Sequence, residues 1–492
     1  MNTLFFARNL VPAAALAFFA GCAAGPDYKR PDAPVPPAYK EVAGWKQAAP
    51  DDAAGKGTWW ETFQDPILSG LEAQVASSNQ SLRQAAANYE EAREVARADR
   101  ATFFPDLSAV GSATRSHPAA APGFTSTTAN NFSAGLEATW APDFWGRVRR
   151  QTEADVTAAQ ASAADLASAR LATQVLLAQD YLSLRAADEK RRLLDNAVES
   201  YGRTLKITQN KYGVGVAARS DVISAQAQFD AARAQAIDVG VERAQLEHAV
   251  AVLAGQLPSE LSLAPLPAFT LAVPTPPPQM PSELLERRPD VAAAERTVAS
   301  ANARVGVQTA AYFPDITLSA EGGFEGSPLD RLFTAPFRMW SLGGNVSETL
   351  LDFGQRRAEL LQARAAYDGT VAGYRETVLG AFQQVEDNLA FLRILEKEAQ
   401  VEDAAVTEAA DAARIAENEY KAGTEDYIYV LTAQINEVTD RVQALNILQQ
   451  RLTDAVALIG ALGGGWSASD LPTRHDVLER HSQDGAAVAA PK

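Results

Sequence analysis

The feature that most constrains this chain is an internal duplication, in which short motifs recur in the same order. The recurring pairs are separated by about 208 to 209 residues and are Phe104–Leu107 with Phe313–Ile316, Ala141–Arg147 with Leu351–Arg356, Lys211–Gly215 with Glu419–Gly423, and Gln226 with Gln434. Agreement of several motifs at one spacing indicates a tandem repeat. We therefore expect two halves built from the same elements in the same order.

Long stretches without proline dominate each half and predict helices of unusual length. Residues Gly146 to about Tyr212 would form one helix of roughly 65 residues, about 100 Å long at 1.5 Å per residue. Its repeat counterpart runs from Gly354 to about Tyr420. Each stretch stops at the glycines that favour helix C-termini, Gly213 and Gly215 in one half and Gly423 in the other. A second helix follows each stop, so the sequence predicts two long antiparallel hairpins.

Short stretches with a period of two precede the helices in each half and predict β-strands. The apolar positions of the two clearest stretches are Phe132, Ala134, Leu136, Ala138 and Trp140 in one half, and Ile316, Leu318, Ala320 and Phe324 in the other. Leu107–Thr114 is compatible with a third strand. A fourth strand is expected over Leu342–Leu350, although Glu348 falls in phase with its apolar residues.

Aromatic residues cluster at the expected strand ends, as in the girdles of membrane β-barrels. The alternative from these residues alone is a small soluble sheet capped by aromatics. Past residue 22 no stretch approaches the ~18 apolar residues that a spanning helix needs, so a membrane-crossing form would need a β-barrel. Four strands per chain cannot close, because such barrels need about eight or more. Three chains would give twelve strands, which predicts a homotrimer.

The fold class that follows from these elements is mainly α, with a small membrane β-barrel portion and long antiparallel coiled-coil helical hairpins. The expected segments are a signal peptide at 1–21, an extended lipid-anchored segment at 22–65, a first repeat at 66–257, a proline-rich linker at 258–281, a second repeat at 282–462 and a loose C-terminal tail at 463–492. The repeats hold β-hairpins at about 104–141 and 313–351, and helical hairpins at about 146–255 and 354–462.

The N-terminus reads as a secretory signal that ends in a lipid-attachment site. Arg8 precedes the apolar run Leu10–Ala20, which is too short to span a membrane as a stable helix. Phe19–Cys22 resembles a bacterial lipobox, in which the cysteine carries the lipid. Cys22 is the only cysteine, so no disulfide competes for its thiol. The alternative is a buried cysteine behind an ordinary signal. Ala23 after the cysteine implies, by resemblance to lipoproteins, release to the outer membrane.

Composition argues against nucleic acid and against catalysis. The formal net charge is -17 and the pI is near 4.8, whereas nucleic acid needs a basic face. The four histidines are scattered without metal-ligand spacing, and no nucleophile motif lies near one. Gly55–Thr58 lacks the glycine spacing of a phosphate loop. We therefore expect no enzyme, no cofactor and no metal site, and an energy source that comes from a partner.

Several motifs resemble one family over nearly the whole chain. The matching segments are Gly25–Pro31, Trp59–Phe63, Asp65–Leu68, Arg287–Val291, and Ala301–Val307 continuing to Phe313–Pro314. They are similar to the outer-membrane efflux lipoproteins of the NodT-type or OprM-like branch of the TolC superfamily. The resemblance implies a trimer with a twelve-stranded barrel in outer-membrane lipid and a helical barrel in the periplasm. It also implies a periplasmic adaptor protein and an inner-membrane pump, commonly of the resistance-nodulation-division type.

The same resemblance places a gate at the periplasmic tips of the helices. Asp221 lies where the family carries an acid near the first tip, and Tyr420 and Gly423 match the second tip. The chain departs from the family at Tyr429 and Thr432, which are aspartates in some members. The location of the gate therefore carries over, and its particular salt bridges do not.

We hypothesise a narrowing made by the Tyr429 rings and the nearby acids Asp221 and Asp426. Glu425 stands where some relatives have a basic residue. The expected contacts with the adaptor are the tip glycines, namely Gly213, Gly215 and Gly423.

The function predicted from the sequence is passive export of small molecules, such as drugs and toxic compounds, through the channel of a tripartite pump. A second transport interpretation is secretion of proteins or peptides with an ATP-driven pump. A structural coiled-coil lipoprotein of the periplasm is an alternative from a different class, and an enzyme is the least supported.

Overall fold

The computed structural model describes residues 23–42, 57–117, 119, 127–266, 272–274 and 285–479. Cys22 and the predicted signal peptide lie outside these residues. The helices and strands of the described residues are α1 (Pro66–Ser78), α2 (Gln80–Ala101), β1 (Asp106–Ser116), β2 (Ala129–Trp140), α3 (Arg147–Gly213), α4 (Arg219–Leu253), α5 (Pro289–Ala310), β3 (Asp315–Gly326), β4 (Arg338–Ser347), α6 (Gln355–Ala422), α7 (Tyr427–Ala461) and α8 (Arg474–Leu478).

The two longest helices confirm the expectation of a mainly helical, duplicated fold. Helix α3 has 67 residues and α6 has 68, so each is about 100 Å long. The first packs against α4 and the second against α7, which gives two antiparallel hairpins. Helix α3 also packs along α7, and this contact joins the hairpins side by side. Among the helices of the described ranges, none is long and apolar enough to cross a membrane.

The four strands form one antiparallel sheet in the order β1-β2-β3-β4. The register places the apolar positions of neighbouring strands opposite one another. For example, Trp140 of β2 pairs with Leu318 of β3, and Leu136 pairs with Gly322. One face of the sheet is therefore apolar, as the period of two predicts. It is widely exposed in the single chain, since Leu342 of β4 is 75% accessible.

The fourth strand differs from the expected Leu342–Leu350. Strand β4 begins earlier, at Arg338, and ends at Ser347, so Glu348 lies beyond it. The Glu348 carboxylate accepts a hydrogen bond from Arg356 Nη1 at 2.9 Å at the start of α6. The apparent break in the alternation is explained by this end of the strand, because the residue has no position in the sheet.

The first described residues form an extended strap across the helices. Gly25 has a φ of 89°, and a Cβ placed there would lie 2.4 Å from Gly306 Cα in α5. Tyr28 donates a hydrogen bond to Glu295 of α5, and Arg30 Nε donates to Tyr374 Oη of α6 at 3.2 Å. The motif behind the predicted lipid site thus packs on the second repeat.

The tail expected to be loose from Gly463 is packed over residues 463–479, so this prediction is wrong for that part. Val477 in α8 is fully buried with Ala96 and Val156. Arg100 Nη1 of α2 donates to the carbonyl of Leu478 at 3.3 Å. The composition of the tail suggested flexibility, but a buried valine and arginine donors on α2 hold it against the helices.

Candidate gate at the helical tips

The first hairpin turns at residues 214–218, between α3 and α4. Gly215 has a φ of 79°, a left-handed conformation that favours glycine. Helix α4 has Ala218 as its N-cap. The Asp221 carboxylate accepts a hydrogen bond from the Ala218 N–H at 3.2 Å and so satisfies one of the free donors of the helix start. Asp221 is thereby fixed at the tip.

The second hairpin turns at residues 423–426, between α6 and α7. Gly423 caps α6 with a φ of 81°, and its N–H donates to the Tyr420 carbonyl at 3.1 Å. Thr424 N–H donates to the Glu419 carbonyl at 3.0 Å, so the last carbonyls of the helix are satisfied. Asp426 is the N-cap of α7. The two turns are therefore compact and built by glycine.

Two tyrosines fill the interior of the second tip. Tyr420 is 4% accessible and its ring meets that of Tyr427 edge to face, with centroids 5.8 Å apart. Leu205, Ala225 and Val430 complete this cluster. Burial, the neighbouring phenols and the Asp221 charge raise the pKa of Tyr427 to about 12. Burial also raises the pKa of Tyr420, so both rings are neutral at physiological pH.

A set of hydrogen bonds joins α3 to the second hairpin beside these tyrosines, and we call it the tip seam. Its members are Tyr201, Thr204, Thr208 and Lys211 of α3 with Tyr420 and Gln434 of the second hairpin. The Tyr420 hydroxyl donates to Thr208 Oγ1 at 3.2 Å, and Gln434 Nε2 donates to Thr204 Oγ1 at 3.0 Å. Thr204 and Thr208 are buried, so these bonds form away from water.

Two further contacts extend the tip seam at its ends. The Tyr201 hydroxyl donates to the Gln434 carbonyl at 3.0 Å. Lys211 Nζ donates to the Tyr420 carbonyl and lies 4.0 Å from the centroid of the same ring. The ammonium therefore has both a hydrogen bond and a cation–π contact. These contacts are noncovalent, so the tip seam can hold the two hairpins together and the hairpins can still separate reversibly.

The structure divides the residues predicted for the gate into two groups. Tyr429 is 59% accessible, and Asp426 and Thr432 are also exposed, so these three can face an opening. Tyr420 is buried in the tip cluster and stabilises the hairpin instead. Asp221 is half-buried, so its exposure is intermediate between those of the two groups.

The tip glycines lie at the far end of the hairpins. A Cβ added at any of them would meet nothing within 4 Å, so the space around the turns is open. These glycines are Gly213, Gly215 and Gly423. The predicted lipid site, Cys22, lies outside the described residues.

Sequence reasoning missed the α3 side of the tip seam. Tyr201, Thr204 and Thr208 recur every three or four residues, which places them on one face of the helix. Such a polar stripe within an alanine-rich helix was the available signal. In the described ranges, no group of three or more histidine, cysteine or acidic side chains has an arrangement that could hold a metal.

Comparison with known proteins identifies the family. A family model for outer membrane efflux proteins matches residues 71–256 and 280–464, once in each half. The chain belongs to this family. As an outer membrane efflux protein, it is the outer-membrane component of an efflux pump and is located in the outer membrane. The double match agrees with the duplication of the sequence.

Relatives and solved structures are similar over almost their whole length. The antibiotic efflux pump outer membrane protein ArpC of Pseudomonas putida is 30% identical, with 93% of this chain and 96% of the relative covered. The toluene efflux pump outer membrane protein TtgC, also of P. putida, gives the same values. The outer-membrane channel OprN superposes with a TM-score of 0.85 at 29% identity, covering 90% of this chain and all of that channel.

Proposed function

We propose that this efflux protein is a homotrimer that forms the passive outer-membrane conduit of a tripartite pump. The observation that carries the proposal is the open sheet of the single chain. Within the described residues, β1 pairs only with β2 and β4 only with β3, so each end of the sheet presents an unpaired edge. Unpaired strand edges are not tolerated in lipid. Three copies joined edge to edge would give a twelve-stranded barrel with no free edge.

The two faces of the sheet support a water-filled interior. The apolar face would meet lipid, and the opposite face carries polar contacts. Ser112 and Ser133 bond through their hydroxyls at 2.8 Å, and Asn131 Nδ2 donates to Glu325 Oε1 at 2.8 Å. Glu137 stands directly opposite Glu321 on the same face. Like charges opposite one another are unfavourable unless water screens them, which fits an aqueous lumen.

We further propose that Cys22 carries lipid at the level where the strands meet the helices. Ala23, the next residue, lies against Gly146 at the start of α3, and a Cβ on that glycine would be 2.7 Å from Ala23 Cα. The Ala24 N–H donates to the Trp145 carbonyl at 2.9 Å, and Arg150 Nε donates to the Ala24 carbonyl at 3.2 Å. Strand β2 ends at Trp140, so the strap begins beside the base of the sheet. An acyl chain there would reach the periplasmic leaflet.

The exported compounds are proposed to be small and largely apolar. The relatives named for antibiotic and toluene efflux support this class. The chain would carry out no reaction of its own, and an inner-membrane pump of the resistance-nodulation-division type would supply the energy. A periplasmic adaptor would meet the tips, where Val214 is 75% accessible and the turns are surrounded by open space.

Photo-crosslinking in cells tests the proposal. A photoreactive amino acid replaces Val214, and Thr407, an exposed residue on the shaft of α6, serves as the matched control. The proposal predicts capture of a periplasmic adaptor from position 214 and much less from position 407. Capture of an ATP-driven secretion pump would instead support protein export. Equal capture from both positions, or capture of no partner, would contradict a tip-docked pump.

A further inference from the structure

The sheet separates its charged residues by sign between its two faces. Its strands contain five acidic residues and two arginines. The acids are on the polar face, where Glu137 of β2 pairs with Glu321 of β3. The arginines are on the apolar face, since Arg338 of β4 pairs with Phe324 and Arg115 of β1 has the parity of the apolar residues in its strand. The five acids are Asp106, Glu137, Asp315, Glu321 and Glu325.

Both arginines lie at the end of the sheet that is farthest from the helices. Strand β1 begins at Asp106, just after α2, and reaches Arg115 near its last residue, whereas β4 begins at Arg338 and runs back toward α6. In the proposed barrel this end is extracellular. A charge on the lipid-facing side is strongly unfavourable at the middle of the bilayer and far less so at its surface. The two arginines are therefore placed at the level of the lipid headgroups.

The connection between β3 and β4 brings a third arginine to the same face. It folds over the apolar side of the sheet, because the Phe333 ring meets that of Phe324 edge to face, with centroids 5.4 Å apart. The Phe337 ring fills the space beside Gly326, where any Cβ would overlap it. Gly326 is in phase with Phe324, so both contacts hold the connection on the apolar face. Arg331 of this connection has a side chain that is 76% accessible. We call Arg115, Arg331 and Arg338 the arginine rim.

The arginine rim gives this end of the sheet a positive charge in an acidic protein. On the apolar face the end carries one acid, Asp330, against the three arginines, whereas the whole chain has a formal charge of -17. The connection over 117–128 contains no Asp, Glu, Lys or Arg. Among the described residues, Arg331 forms an ion pair with Asp330 at 3.6 Å, and none forms with Arg115 or Arg338. Within that part of the chain, two guanidinium groups of the rim have no counter-charge.

Two arginines at the opposite end of the sheet are paired within the chain. Arg149 Nε lies 3.3 Å from Asp143 Oδ2 at the start of α3, and Arg356 Nε lies 2.6 Å from Asp352 Oδ2 at the start of α6. These two arginines need no external anion, whereas the rim has unmatched positive charge at a headgroup surface. A negatively charged partner is therefore indicated at the extracellular end.

We propose that the arginine rim is a docking surface for the phosphate groups of lipids in the extracellular leaflet. The proposal rests on the proposed trimer, whose closed barrel would carry the arginines of each chain around its outer edge. A guanidinium fork can bind two phosphate oxygens at once. Exposed apolar side chains lie close in sequence to two of the arginines, since Trp340 is 77% and Phe333 69% accessible. A lipid would cover both with its apolar part, whereas dissolved phosphate would leave both in water.

Native mass spectrometry of the purified protein in mild detergent tests the proposal. The probe is lipid A with two phosphate groups, and the comparison lipid is the same molecule after both phosphates have been removed. Wild-type particles are expected to hold the phosphorylated lipid and to hold the other lipid much less. Replacing Arg115, Arg331 and Arg338 together by glutamine should weaken binding of the phosphorylated lipid about 5-fold for each arginine removed. The corresponding lysine variant keeps the charge without the planar fork and should bind with intermediate strength.

The matched control removes the same charge from the helical shaft, by glutamine substitution of three exposed arginines. These are Arg203, Arg414 and Arg441. The control should bind the phosphorylated lipid as the wild type does. Equal binding by the rim glutamine variant and the control would overturn the inference, as would equal binding of the two lipids by the wild type. Displacement of the lipid by equimolar inorganic phosphate would overturn a lipid as the partner. The same spectra give the number of chains in each particle, and particles of one chain would overturn the proposed trimer instead.

Discussion

Substitution of Thr208 by valine tests the tip seam within one chain. Thr208 is fully buried and Tyr420 is 4% accessible, so valine would leave the tyrosine hydroxyl without its partner in a dry site. An unsatisfied buried donor costs about 1–3 kcal/mol. Tyr420→Phe removes the donor instead, and Thr208 keeps its own bond to the Thr204 carbonyl at 2.9 Å. That change should cost about 0.5–1.5 kcal/mol.

Amide hydrogen exchange of the tips, followed by mass spectrometry, measures these costs as local opening. Thr208→Val should speed exchange of the tip amides about 5- to 150-fold, and Tyr420→Phe should speed it less. The double variant should exchange more slowly than Thr208→Val alone, because neither polar group then remains unpaired. Thr407→Val is the matched control, since the exposed Thr407 hydroxyl bonds only the Asp403 carbonyl of its own helix among the described residues, at 2.9 Å. Tip exchange in Thr208→Val equal to that in the control would refute the reasoning.

Three further predictions concern the rest of the molecule. Glu72 is fully buried, neither carboxylate oxygen has a hydrogen-bond partner among the described residues, and burial raises its pKa from 4.5 to about 8. The folded state then holds a proton that the unfolded state releases, so wild-type thermal stability should fall as the pH rises from about 4.5 to about 8, and Glu72→Gln should flatten that slope. The facing acids Glu137 and Glu321 should make the conduit prefer cations, so Glu137→Gln with Glu321→Gln should reduce that preference in reversal-potential measurements, and an unchanged preference would place these acids outside the lumen. Gly25→Ala should detach the strap, because the left-handed backbone and the contact with Gly306 exclude a Cβ; faster protease cleavage of the N-terminal segment would report it.

Much of the fold could be predicted from the sequence because it repeats strong periodic signals. The strands follow a period of two, and the long helices are free of proline and end at glycine, so Gly213 and Gly423 mark the tips where the structure has them. These signals are local and depend on one element at a time. The weaker predictions involved contacts between elements. An example is Glu348, which lies beyond the end of β4 and forms an ion pair with Arg356 of α6.

The environment of the gate residues could not be predicted from local pattern. Tyr212 and Tyr420 occupy the same place in the two repeats, and yet one is exposed and the other buried. Tyr420 is buried because its hairpin packs on α3 through α7 within the chain. The corresponding face of the first hairpin, which carries Tyr212, has no such helix beside it among the described residues. Only the placement of both hairpins separates a buried residue that supports the tip, such as Tyr420, from an exposed one, such as Tyr429.

The conductance of the purified protein in planar bilayers tests the central claim most directly, namely that the helical tips gate the conduit. The variant combines Tyr429→Ala with Asp221→Ala, and Thr407→Val serves as the control on the shaft of α6. The account predicts a higher conductance for the double variant, because the exposed rings and the tip acids no longer narrow the opening. A conductance equal to that of the wild type and the control would contradict a gate at these tips.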